Sequence, residues 1–530
     1  MNTITKGPFL GINNRLPDFA LHVDKTGDFL RDAVNVDITN SGNIVRRQAA
    51  KLIQPLAAPH SLYMTSDTDG FMVMASMLYA VTLPDYAVSS VKALTSNDPM
   101  SYAAISGRLY FSNGTDSGRL EGGAVLPMAL PTPAAPAVVG GIGGGLVAGK
   151  YRVAVAYYNA TTQEEGGVSP SAAIDTATTG GLRITLPAAV TGATHANVYV
   201  TTLNGSVLML ATSALIGVWP TVDVIAEATG REANQRHEMP LPAGRLFAFQ
   251  GALCSYAGNE VFEGIPFRPG YCLQVGSRIP FVDEVSNVVP TENGVYVVAD
   301  ETFWIAGPAM TKAERVSPIL PYGGVTGTAF EVPGDGKQVG WFGDEGIVIG
   351  DKLGQVKAVM TDNIDLEAPS SGNSMVFTDR GYLRVVSCGW CLNLENLRAT
   401  RYTDFDFTSL SGDYGTKEDG IYALSATGKV NASVSLGKED FGTEAKKALP
   451  AVYLGVQSEA PMLLNVSSPK QGSYSYSARS YNADALELHR VDPGKGLSAT
   501  WYDLSIANVD GSDFIMASVS FAPVASTRRI

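Results

Sequence analysis

The sequence predicts an all-β protein: a β-propeller-like core, an inserted fibronectin/Ig-like β-sandwich and a C-terminal β-sandwich. Three observations predict it. Short runs of alternating apolar and polar residues recur along the chain, bounded by Gly, Asn and Asp, as half-buried strands require. The 530 residues include 56 Gly and 29 Pro, enough for a turn every few residues. Runs of strong helix formers are scarce, and only 439–449 reads as a short helix.

The elements follow in chain order. Residues 1–130 read as an N-terminal arm followed by the first propeller blades, with "GFMVMASMLYAV" and "MSYAAISGRLYFSNG" as strand–turn–strand units. "PTPAAPAVVGGIGGG" (131–145) breaks the pattern and reads as a Pro-rich, then Gly-rich linker. From 146 to 229 a compact module follows, the inserted sandwich. In "AGKYRVAVAYYN", Tyr151, Val153, Val155 and Tyr157 alternate onto one face, and "HANVYVTTLNGSVLMLAT" is a hairpin turning at Asn204 and Gly205. Residues 230–400 resume the blades. "WFGDEGIVIG" pairs Trp341 and Phe342 with 347–349 across 343–346, and "FTDRGYLRVV" does the same across 379–381; Asp-Gly and Asn-Gly steps supply the positive φ that tight hairpins demand. The repeats are too degenerate for a strict period, and a set of meandering sandwiches is the alternative to blades. Residues 401–445, rich in Asp, Gly and Tyr, read as a connector or loop insertion, and 446–530 as the C-terminal sandwich.

Charge and motifs exclude several functions. Net charge is −13. The first 60 residues hold seven basic and five acidic side chains and the last 85 hold eight and seven, which leaves −16 on the middle 385. No basic stripe of the kind that grips nucleic acid is present. The N-terminus lacks the basic and apolar regions of a secretory signal, and no apolar run is long enough to span a membrane. Four cysteines in 530 residues are too few for a disulfide scaffold, which suits folding in a reducing cytoplasm.

No catalytic constellation emerges. Cys388 and Cys391 form one CxxC, but their flanks read as strand, and Cys254 and Cys272 lie in other strands, so two packed thiols fit better than zinc or redox chemistry. None of the five histidines, His22, His60, His195, His237 and His489, lies within metal-chelating spacing of another. "GIGGG" at 141–145 and "GDGKQ" near Lys337 lack the strand, helix and Lys-Ser/Thr ending of a phosphate loop. Acidic pairs such as Asp404 with Asp406 and Asp283 with Glu284 fall in turns. The expectation is no catalytic, cofactor or metal residue, and a protein that is not an enzyme.

The N-terminal segment carries a resemblance. "KGPFLGINNRLPDFAL" precedes "FLRDAVNVDITNSGNIVRRQAAKLI", with Gly11, Asn13, Asn14, Leu30, Ala33, Asn35, Val36, Asp37, Gly42, Arg46 and Arg47 at the patterned positions. This opening, the blade-like "AGRLFAFQGALCSYAGNEVFEGIPFRPGYC" and the ending "WYDLSIANVDGSDFIMASVSFAPVASTRR" resemble the tail hub, nozzle and packaged-DNA stabilisation proteins of short-tailed bacteriophages. The inserted module departs from some members of that family.

The resemblance implies a virion tail subunit, assembled in the host cytoplasm. It implies a ring, commonly of six, below the portal and adaptor, with tail fibres or a needle as further partners. Genomic DNA would pass through the lumen without specific binding. Six copies would carry −78, six times the charge of one chain, and a negative lumen repels phosphate. Arg46, Arg47, Asn13 and Asn14 are the candidate subunit-interface residues. Two rival readings are a tail-fibre or receptor-binding protein and a glycan-cleaving propeller enzyme.

Overall fold

The computed structural model describes residues 3–525 except 24, 122, 235–236, 313–315, 335–337, 427, 470–471 and 495. Lys337 and most of "GDGKQ" therefore lie outside the described residues. The chain is all-β: strands follow one another from end to end, and helix is confined to two single 3-10 turns among the described residues. It divides into two compact units, one formed by 1–75, 79–89 and 319–530, the other by 76–78 and 90–318.

In the second unit, four-stranded antiparallel meanders run through Ser101–Ile105, Arg108–Ser112, Ser117–Glu121 and Ala124–Leu126, then through Arg245–Phe249, Ala252–Ala257, Glu260–Phe262 and Arg278–Pro280. A third begins with Asn287–Pro290, Gly294–Val298 and Thr302–Ala306. Their opening strands lie side by side, where Leu246 N donates to Ser101 Oγ at 3.0 Å. This is the propeller-like arrangement: tight hairpins within a blade, and the first strand of each against the first strand of the next.

The inserted sandwich belongs to the same unit. One sheet is Val138–Leu146, Gly180–Thr185 and Thr221–Val224; the other is built on Gly149–Asn159, His195–Thr201 and Leu208–Leu215. Tyr151, Val153 and Val155 enter its core with Leu182, Ile184 and Val198. Part of the expected linker is thus a nine-residue strand, so the module starts near 138 instead of 146. Its glycines permit the pairing: a Cβ on Gly144 would stand 2.8 Å from Gly180 O.

The first unit holds the remaining blades. Phe330–Glu331, Val339–Gly343, Gly346–Gly350 and Val356–Ala358 form one, with Trp341 opposite Val348 as the hairpin pattern predicts. Ser374–Asp379, Tyr382–Ser387, Trp390–Asn393 and Ala399–Arg401 form the next, turning at Arg380 and Gly381, both at positive φ. The expected connector at 401–445 is instead a blade and a sandwich strand. Ser409–Ser411, Tyr414–Lys417 and Gly420–Ala426 are completed by the N-terminal strand Ala49–Pro55, so chain segments far apart in sequence close one blade. No helix forms at 439–449: Ser433–Glu439 is a strand, followed by a turn and the short strand Lys447–Ala448. Lys447 is fully buried, and its ammonium donates to the carbonyls of Asp440, Thr443 and Thr500, each at 2.5 Å, which holds that turn.

The C-terminal sandwich is built from both chain ends. Val452–Ser458 and Phe514–Phe521 pair with each other, and Ile4–Lys6 and Ile44–Arg46 add to Phe514–Phe521. In the facing sheet Asp32–Val34 lies between Ser433–Glu439 and Ala399–Arg401. Phe9, Leu30, Val36 and Ile44 of the arm share one core with Val434, Leu454, Tyr502, Leu504 and Phe521. Each such side chain, removed fully from water, contributes about 1.5–3 kcal/mol. The arm is therefore part of the monomer's core, not an appendage to it.

Candidate functional site: an arginine-lined cleft

The four candidate interface residues are engaged within the chain. Arg46 is 6% and Arg47 4% exposed. Arg46 Nε lies 3.2 Å from Asp513 Oδ1, and Arg46 Nη1 donates to Gly428 O at 2.8 Å. Arg47 donates to Asn35 Oδ1, Gln48 O and Thr403 O at 2.8–3.0 Å, and its guanidinium lies over the rings of Tyr402 and Phe405. Burial pulls its pKa down, against the opposing pull of Tyr402 and Asp37.

Asn13 is 2% exposed; it donates to Asn363 Oδ1 and accepts from the backbone of Arg15 and Leu16. Asn14 exchanges two hydrogen bonds with the backbone of Asp365. The expectation that these four side chains reach a neighbouring subunit is corrected: their polar groups already hold the arm to the blades and sandwich of the same chain. The cysteines are four free thiols. Cys388 sits in the turn before Trp390–Asn393, which contains Cys391, so the CxxC spans a hairpin between strands.

A cleft of about 500 Å³ lies in the second unit, where the inserted sandwich meets the blades. Two strands of the 101–126 meander bring Arg108 and Arg119, and the two-residue strand Glu164–Glu165 brings its carboxylates from the insert. Arg231 arrives at the insert's exit. The hairpin of Gly264–Ile265 and Arg268–Leu273 brings Phe267, Arg268 and Tyr271. Four guanidiniums thus face two carboxylates at the wall of a chain whose net charge is −13.

The ion pairs are close. Arg119 Nη2 lies 2.6 Å from Glu164 Oε2, Arg231 Nη2 2.7 Å from Glu165 Oε2, and Arg268 Nη2 2.9 Å from Glu238 Oε2. Tyr271 donates its hydroxyl to Glu164 at 2.8 Å and accepts from Leu130 N at 2.9 Å, and burial, reinforced by Glu164, pushes its pKa upward. Asn197 donates to Glu165 Oε1 at 2.6 Å, and the Tyr199 hydroxyl donates to the same oxygen. Burial would lower the pKa of Arg119, but the hydrogen bond and charge of Glu164 outweigh it and hold the guanidinium above its ordinary value.

Two non-glycine residues at the cleft hold left-handed backbone, Gln163 and Phe267, and the Phe267 ring is 90% exposed. Sequence reading missed this site because its residues come from five separated segments. The one signal available was the adjacent carboxylate pair in "QEEGG", which reads in isolation as a polar loop. Among the described residues no group of three or more His, Cys, Asp or Glu is placed to hold a metal ion, and no helix is long and apolar enough to cross a membrane.

No family model matches the chain, and no curated protein matches it. Solved structures similar to it include a glycoside hydrolase family 43 arabinoxylan arabinofuranohydrolase from Bacillus subtilis, at 9% identity over 75% of this chain and 96% of that one, with a TM-score of 0.18. An exo-β-1,3-galactanase from Phanerochaete chrysosporium matches at 10% identity over 88% and 100%, with a TM-score of 0.19. The extracellular domain of a hybrid two-component system from B. thetaiotaomicron matches at 10% identity over 94% and 92%, with a TM-score of 0.23. Glycoside hydrolases recur in this set, which stands against the expectation that the chain is not an enzyme. At these TM-scores the likeness does not carry their chemistry to this chain.

Proposed function

We propose that the chain is a subunit of a short-tailed phage tail, a hub or nozzle around the path of the genome. The observation that carries this reading is the ordered N-terminal pattern from Gly11 to Arg47 and its resemblance to that family. The all-β architecture suits it, since short strands tied by tight hairpins make stiff walls. So does the surplus of acidic side chains, which disfavours adhesion of a passing phosphate backbone. With Arg46, Arg47 and Asn13 buried and Asn14 bonded to the backbone of Asp365, contacts between copies fall to other surfaces. Native mass spectrometry and electron microscopy of the purified chain, alone and with its portal and adaptor, test the reading. A closed ring, six copies by the family pattern, is the expected result. A chain that stays monomeric or trimeric even with those partners overturns it.

A second reading, action on a saccharide, is supported by the cleft, whose guanidiniums, carboxylates and exposed aromatic ring are groups that saccharide sites use. Release of reducing ends from arabinoxylan or β-1,3-galactan, abolished by Glu164→Gln, would support hydrolysis. Release unaffected by that change would place any chemistry elsewhere.

A further inference from the structure

We propose that the cleft between the inserted sandwich and the blades is a binding site for an acidic saccharide, a sugar bearing a carboxylate. The cleft's ligand does not depend on the tail reading, since a ring can form whether or not the cleft is occupied; it gives a ligand class to the cleft of the saccharide reading, and binding without release of reducing ends would uphold it while that reading fails.

The cleft has the size of a ligand site, about 500 Å³, within the usual range of roughly 300–1,000 Å³. Its guanidiniums are paired internally, and Arg231 at the mouth keeps donors open to a ligand. The Arg119 side chain is 6% exposed and ends in the cleft, and its buried Nε has no hydrogen-bond partner; Glu121 Oε2, at 3.4 Å, is an ion-pair neighbour only. Arg268 Nε is likewise buried without a hydrogen-bond partner. At the mouth, the Arg231 side chain is 52% exposed and joined to Glu165 through Nη2, which leaves the rest of its donor fork facing solvent. Planar forks of this kind match carboxylates.

The carboxylates favour a ligand that also brings hydrogen-bond donors. Glu164 and Glu165 line the same wall and accept hydrogen bonds. A sugar offers hydroxyl donors to them and a carboxylate to the arginines. Inorganic phosphate, equally an anion, brings no such array of hydroxyl donors to the glutamates. Phe267 completes the set. Its ring stands 90% exposed beside the cleft on a residue at φ 61, a conformation bulky side chains rarely adopt. Such an outlier, held by the adjoining hairpin, points to a functional placement. An exposed ring next to polar donors suits the C–H face of a pyranose.

The experiment is calorimetric titration of the full chain at low salt with three probes: trigalacturonic acid, the neutral trigalactoside and uridine monophosphate. Two variants, Phe267→Ala and Arg231→Gln, are titrated in parallel. Both change exposed side chains, and unchanged thermal melting would show them folded. The expected result is binding of trigalacturonic acid, at least ~10-fold weaker in each variant, with the neutral sugar weaker again. Absence of trigalacturonic acid binding at millimolar concentration overturns the proposal and leaves the cleft as an ion-paired seam. Equal binding by wild type and both variants overturns it by placing the ligand elsewhere. Preference for uridine monophosphate overturns the ligand class.

Discussion

Asp37 explains why the N-terminal pattern needs an acid at its centre. It is 2% exposed, with Arg384 Nη1 at 3.0 Å, the Tyr402 hydroxyl donating at 2.5 Å and the Cys391 thiol at 3.7 Å. Asn35, two residues earlier, sits at φ 55, donates to Thr403 Oγ1 and Asn431 O, and accepts from Arg47. The pattern is thus a polar lock inside one chain. Asp37→Ala leaves Arg384 buried without its counter-charge and should cost about 3–5 kcal/mol. Urea unfolding measures it, and a loss below ~1 kcal/mol would mean that water replaces the carboxylate. The thiols carry a pH prediction. Burial raises the pKa of Cys388 to about 11 and of Cys254, Cys272 and Cys391 to about 12. All four should stay protonated and slow toward a disulfide reagent at neutral pH, and half-exposed Cys388 should react first. The unfolded thiols ionise near 9, so their contribution to stability is intact below that pH and is lost as pH rises toward 11–12. Fast modification of Cys391 in the native protein at neutral pH would contradict the burial described.

At the scale of elements, the insert is tied to the blades more closely than its Pro- and Gly-rich flanks suggest. Beyond the Arg119–Glu164 pair, Arg268 donates to Glu165 O at 2.6 Å. Gly167 passes so near the strand Glu238–Pro240 that a Cβ would stand 1.9 Å from Glu238 O and 2.5 Å from Thr132 Oγ1. Gly167→Ala should therefore shift the segment and cost about 1–3 kcal/mol. Calorimetric melting checks it; an unchanged transition would show that the segment yields without cost. The same closeness bears on removing the insert. A deletion across 145–231 would strip Glu164 from Arg119 and Tyr271, and would leave Val138–Leu146 without its partner strand.

For the molecule as a whole, the two chain ends close the structure. The arm supplies Ile4–Lys6, Val36–Ile38 and Ile44–Arg46 to one sheet of the C-terminal sandwich, Asp32–Val34 to the other, and Ala49–Pro55 to a blade. An arm that served assembly alone could be removed without harm to the monomer. A chain beginning at residue 48 loses four of these strands and the buried Phe9, Leu30, Val36 and Ile44, and should not show a cooperative transition for the first unit. Circular dichroism melting of that truncation decides it; native-like melting with loss of assembly alone would return the arm to an inter-subunit role.

Features under local control are legible along the chain. Period-two alternation marked hairpins such as Val339–Gly343 with Gly346–Gly350, the Arg380–Gly381 step marked the turn between Ser374–Asp379 and Tyr382–Ser387, and the alternation of Tyr151, Val153 and Val155 marked the insert's core face. What the sequence left undecided were pairings between distant segments. Asp32–Val34 beside Ala399–Arg401, or Ala49–Pro55 completing a blade that begins at Ser409, follows from no local pattern, because any exposed strand edge offers the same backbone donors and acceptors. For the same reason Arg46 and Arg47 read as surface charges. An arginine's place is set by the carboxylates and carbonyls that the fold brings to it, here Asp513, Gly428 and Thr403, hundreds of residues away. The cleft is the same case: its five segments are dispersed in sequence, and only the docking of the insert on the blades brings Glu164, Arg231 and Phe267 to one wall.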